Sequence, residues 1–141
     1  MSEAITTWLD PLRSVLDPTR SLDWPRLHEL AVALDTALSA HPVGSGLPPA
    51  AKRSRRLLAI RAALAEQGHL DTTGQDPLCQ LFVQFVCGYR DLDLRDASGL
   101  GHGRLIARHG TPTACHRWIP RLQAGDLAGI AVTDRGVTHP R

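Results

Sequence analysis

The feature that most restricts this chain is a short oxygen-bearing residue set against a proline, repeated along its length. Asp10-Pro11, Asp17-Pro18, Asp76-Pro77 and Thr111-Pro112 all carry it, and Asp23 stands two residues before Pro25. An Asp or Thr oxygen accepts the orphan N–H groups of a first helical turn, and a proline there has no N–H to lose. Each pair therefore stops one helix or opens the next, which predicts a set of short helices jointed at these points.

The spacing of apolar residues agrees. Leu27, Leu30, Ala31, Leu34 and Leu38 form one stripe on a helix capped by Asp23 and ended by His41-Pro42 and the Gly/Pro-rich run that follows. Leu57, Ile60, Ala63 and Leu64 form another over roughly Ala50 to Gln67, which Gly68 closes as a left-handed C-cap. Leu78, Leu81, Phe82, Phe85, Val86 and Tyr89, after Asp76-Pro77, are the strongest helical pattern in the chain. Weaker signals predict a helix from Ser2 to about Leu16, broken at Asp10-Pro11, and one from about Leu94 to His109, stopped by Gly110. The latter contains Gly99, Gly101 and Gly103, each costing on the order of 1 kcal/mol against Ala. Such glycines suit a helix whose backbone a neighbour approaches closely. A last helix runs from Thr111-Pro112 to about Gln123, kinked or shortened by Pro120. The period then changes to that of a strand over Ala128–Thr133. The expected fold class is all-α: a bundle of about six helices with one terminal β-strand.

Composition narrows the function. At 141 residues the chain suits one modest domain, and with only 4% aromatic residues its core must rest on Leu, Ala, Ile and Val. A net charge of +2 gives no strong attraction to nucleic acid or membrane. No apolar stretch is long enough to span a bilayer, and the N-terminus has no basic patch ahead of an apolar block, so neither a membrane span nor a secretory signal is expected. Cys79, Cys87 and Cys115 are too few for a disulfide scaffold and read as reduced thiols of a cytoplasmic protein.

Four clusters are candidates for chemistry. Lys52, Arg53, Arg55 and Arg56, with Arg61 beyond, could grip phosphates or nucleic acid, since arginine pairs bidentately with phosphate. With no aromatic residue interleaved, a solvated helix face is the preferred account. Gly99-Leu100-Gly101-His102-Gly103 lacks the strand-then-helix setting of a nucleotide loop. His109, Cys115 and His116 lack the second pair of ligands that zinc wants, so no metal is expected. No G-x-S-x-G motif is present.

One block is more specific. It runs Ala107-Arg108-His109-Gly110-Thr111, then Trp118-Ile119-Pro120-Arg121-Leu122-Gln123-Ala124-Gly125-Asp126, then Gly129-Ile130-Ala131-Val132-Thr133-Asp134. It resembles the acyl-CoA dehydrogenase family where the N-terminal helical domain meets the β-domain. Asp134 and Arg135 stand where that family usually carries Glu and Pro. The Asp91–Leu94 stretch and a small-residue helix over Ser98–His102 look like the family's paired helices lining the acyl pocket. The resemblance implies residues 1–125 as a helical domain and 126–141 as the first strand of a truncated flavin-binding β-domain. It implies FAD and the α,β-dehydrogenation of an acyl thioester, carried on coenzyme A or acyl carrier protein. Val132 and Thr133 would touch the flavin ring edge. The loop with Gly136 and Thr138 would meet the flavin pyrophosphate or the thioester. No catalytic residue is assigned, because the family's carboxylate lies in a C-terminal bundle.

The chain is thus expected to be inactive alone, or completed by another chain, with an apolar helix face exposed to a complementing chain or a second copy. The alternatives are a non-catalytic helical interaction module and a small helical nucleic-acid binder acting through residues 52–61.

Overall fold

The computed structural model describes residues 3–42, 49–71 and 76–129. Near the N-terminus, Ala4–Leu9 winds as a wide π-type helix that closes when the Asp10 N–H reaches the Ile5 carbonyl. Pro11 has no N–H to continue that ladder, and the chain tightens into a 3-10 turn over Asp10–Leu12 and then α1, Arg13–Leu16. Ala4, Ile5 and Leu9 enter the core.

Asp17 ends α1 and organises the corner. Its carboxylate is buried and accepts from Ser21 N (2.8 Å), Leu22 N (3.3 Å) and the indole Nε1 of Trp24 (2.9 Å). Asp23 then caps α2, Trp24–Ala40, through the Arg26 N–H. The expected α2 stripe is the centre of the core: Leu27, Leu30, Ala31 and Leu34 are all buried.

The helix α3, Pro49–Glu66, packs on α2 through Ile60 and Leu64. Gly68 closes it at φ +75°, with Gly68 N bonded to Ala65 O and His69 N to Leu64 O. Asp76 caps α4, Pro77–Arg90, by accepting from Leu78 N at 2.7 Å. Phe82, Val83, Val86 and Cys87 face inward, with Phe82 tilted against Trp24 at 6.0 Å. The expected α4 stripe is therefore corrected. Only Phe82 and Val86 of it are buried, while Leu78, Leu81, Phe85 and Tyr89 lie on the solvent side.

The continuous helix expected from Leu94 to His109 is not formed, and neither is the small-residue helix over Ser98–His102. A 3-10 turn over Leu92–Leu94, a run of turns and a second 3-10 turn over Gly101–Gly103 precede a short α5, Arg104–His109. Gly99 (φ +72°) and Gly101 (φ +51°) sit in the left-handed region, which reverses the chain where a helix would have continued. Gly103 is where a neighbour does approach: a Cβ there would overlap Leu122 Cδ1.

Thr111 caps α6, Pro112–Gln123, through Ala114 N, and the helix runs past Pro120 for three more residues. Among the described residues there are six α-helices and no strand. Leu127–Gly129 has no regular structure, and the rest of the expected strand lies outside the described residues. No described helix is long and apolar enough to cross a membrane.

The candidate site between α3 and α6

Two helical layers meet here. The main hydrophobic cluster joins α2, α3, α4 and the N-terminal turns; Leu100 and Leu122 are buried but stand outside it. The α5–α6 hairpin therefore has little apolar surface tying it to the rest, and one arginine does that work.

Arg61 is fully buried on α3. Its Nε donates to Gly125 O (3.2 Å), Nη1 to Asp96 O (2.6 Å) and Gly99 O (3.2 Å), and Nη2 to Leu122 O (3.3 Å) and Asp126 O (2.9 Å). All five donors of the guanidinium fork are thus used on backbone carbonyls. Burial pushes its pKa down from the ordinary value, with the Asp96 and Asp126 carboxylates opposing that shift. The cation stays charged, and it sits at the C-terminal end of α6, where the helix dipole is negative. For Arg61 the expected solvated helix face is corrected, and it is not free to extend a phosphate-gripping run either: its charge is spent inside the fold.

The rest of that run divides. Arg56 pairs with Asp91 (2.6 Å) and also donates to His41 O, and Arg53 pairs with Asp93 (3.2 Å). Among the described residues, Lys52 and Arg55 make no ion pair. The cysteine–histidine cluster is not brought together as ligands. The Cys115 thiol donates to Ile106 O at 3.2 Å, and His109 and His116 are exposed.

In front of Arg61 lies a groove of about 660 Å³ between α3 and α6, within the range of small-molecule sites. Leu57 and Leu58 of α3, Ile106 of α5, and Trp118 and Leu122 of α6 line it, with Ser54, Arg121, Asp126 and the backbone of Leu127–Gly129 completing the wall. Two guanidinium groups lie over the Trp118 ring, Arg117 at 4.8 Å and Arg121 at 5.0 Å from its centre. Arg121 in turn pairs with Asp126 at 2.7 Å. The bonds from Arg61 to the Gly125 and Asp126 carbonyls fix the backbone beside the groove. Val132, Thr133, Gly136 and Thr138, the residues expected to meet a flavin, lie outside the described residues.

Residue patterning alone overlooked Arg61 as an organiser. The signal was present: Arg61 falls four residues after Leu57 and three before Leu64, on the apolar stripe rather than opposite it. Comparison with protein-family models, with curated proteins and with solved structures gave no match for this chain.

Proposed function

We propose that this chain forms one wall of a flavin-dependent acyl-thioester dehydrogenase site, with the α3–α6 groove taking the acyl chain. The observation that carries the reading is the groove, whose lining is mostly apolar and suits an alkyl chain. Leu58 and Leu127 line it and are still 47% and 43% exposed, so a second element must close over it before water is excluded.

The chemistry supplied by bound FAD is acceptance of a hydride from the acyl Cβ. The part of this chain is to bind and orient the acyl tail. Proton abstraction from Cα needs a base within hydrogen-bond reach, and none is assigned here. The carrier is coenzyme A or acyl carrier protein, and the setting is the cytoplasm, where Cys79, Cys87 and Cys115 stay as free thiols.

Trp118 makes the reading testable. Titration with palmitoyl-CoA is expected to change the indole fluorescence with saturation, while coenzyme A alone does not. Trp118→Phe removes that change, although Trp8 and Trp24 still emit. An equal response to coenzyme A alone, or one that survives Trp118→Phe, refutes the groove as the acyl site.

A further inference from the structure

The groove wall carries one group that an alkyl chain by itself does not use. Arg121 lines the groove, and its Nε donates to the Asp126 carboxylate at 2.7 Å. Its Nη1 and Nη2 make no hydrogen bond among the described residues, and the side chain is 57% exposed. The guanidinium is nevertheless held in place. It lies 5.0 Å from the centre of the Trp118 ring. Its partner Asp126 is tied at both backbone ends, its N–H donating to Arg121 O at 3.0 Å and its carbonyl accepting from Arg61 Nη2 at 2.9 Å. A guanidinium fixed at Nε still offers the four N–H donors of its outer edge. The surroundings are basic. No carboxylate lies between Asp96 and Asp126, so α5 and α6 carry none, and α3 has only Glu66, its last residue. Asp126 is the one acidic residue among those lining the groove, and Arg117 sets a second cation over Trp118. One carboxylate therefore does not neutralise this wall.

We propose that the groove also binds a free long-chain carboxylate, with its tail between α3 and α6 and its carboxylate on the unused edge of Arg121. A planar carboxylate accepts two parallel N–H bonds from such an edge. The tail meets Leu57, Leu58, Ile106 and Leu122, so both ends of the ligand find a matching part of one site. A neutral head group forgoes the charge-assisted bonds, and a cationic one is repelled by Arg117 and Arg121. The proposal rests on the reading of the groove as an alkyl-chain site, and it adds a regulation to that site. A free fatty acid has no thioester to be oxidised, so it occupies the groove as a competitor of the acyl thioester.

Isothermal titration calorimetry of the full chain is the test, in mildly alkaline, low-salt buffer where the ligand carboxylate is ionised. The probes are decanoate, decanol and decyltrimethylammonium, which share a tail and differ in charge. Decanoate is expected to bind roughly 10-fold or more tightly than decanol, the effect of hydrogen bonds to a charged group, and decyltrimethylammonium more weakly than either. Arg121→Gln brings decanoate down to the affinity of decanol and leaves decanol unchanged. Arg121→Lys keeps the charge without the fork and recovers part of the difference. Leu58→Asp, on the opposite wall, weakens decanoate and decanol alike. Both substituted side chains are largely exposed, so far-UV circular dichroism should be unchanged. Equal affinity of the wild-type chain for decanoate and decanol overturns the proposal, as does a preference for decanoate that survives Arg121→Gln. The alkyl-chain reading then stands by itself if Leu58→Asp still weakens both ligands. Binding of neither ligand, or binding indifferent to Leu58→Asp, removes that reading and the proposal with it.

Discussion

Replacing Arg61 with Met keeps an unbranched apolar stem of similar width and removes the guanidinium with its five donors. Each hydrogen bond to a charged group contributes roughly 1.5–3 kcal/mol net, but such values are not additive, and desolvation of the guanidinium offsets part of the total. The relevant comparison is the cost of breaking a buried charged network by removing one partner, ~3–5 kcal/mol. Five carbonyls, at Asp96, Gly99, Leu122, Gly125 and Asp126, lose the guanidinium together, and of them only Leu122 O keeps a backbone donor, Gly125 N, among the described residues. That loss is a large share of a total stability of about 5–15 kcal/mol. Its location is as diagnostic as its size. The α5–α6 hairpin holds only Leu122 in the interior, outside the main cluster, so it should open before α2, α3 and α4 do. Urea denaturation gives the total. Amide hydrogen exchange gives the place: residues 112–126 should lose protection ahead of the α2 core. Arg61→Lys, with three donors for five acceptors, should recover only part of the loss. If Arg61→Met costs less than ~1 kcal/mol and leaves α6 protection unchanged, the guanidinium is not what fastens the two layers.

Gly103→Ala should cost about 1–3 kcal/mol by overpacking against Leu122, and adding Leu122→Val to the same chain should return most of it in urea melts. Burial of Asp17 disfavours its ionisation, but the bonds from Trp24, Ser21 and Leu22, with Arg13 beyond, outweigh that and hold its pKa below the ordinary 3.8. The unfolded chain then takes up the proton first, so the stabilisation is complete above the unfolded value and is lost as pH falls through the lower folded one. Thermal melts in increasingly acid buffer should fall more steeply for wild type than for Asp17→Asn; equal slopes count against this role. Burial pushes the Cys87 thiol up to about 12, so a thiol reagent at neutral pH should modify it only as fast as the protein unfolds. Rapid labelling of Cys87 in the native state contradicts its place in the core.

The helix starts were legible because their causes are local. Asp23, Asp76 and Thr111 each cap the helix that the Asp/Thr–proline pattern places there, and Gly68 closes α3 as a left-handed residue. These effects act within one helical turn, so neighbouring residues suffice to read them. The α2 stripe was legible for a similar reason, since a single apolar face has one way to be buried.

The rest depended on what lies far along the chain. The segment from Leu94 to His109 has a helical apolar pattern, yet Gly99 and Gly101 turn left-handed and deliver the Asp96 and Gly99 carbonyls to an arginine more than thirty residues earlier. Periodicity could not say which half of the α4 stripe faces the core, because both halves are apolar and the choice is made by Trp24 and the N-terminal turns packed against one side. The same holds for Arg61. A basic residue in a basic run reads as a surface charge until the fold surrounds it with backbone oxygens. The sequence by itself determined where α2, α4 and α6 begin and where α3 ends, because capping and proline chemistry act over a few residues. Only the tertiary structure decided which faces are buried and where the charge of Arg61 goes, because those depend on desolvation and pairing between segments brought together by the fold.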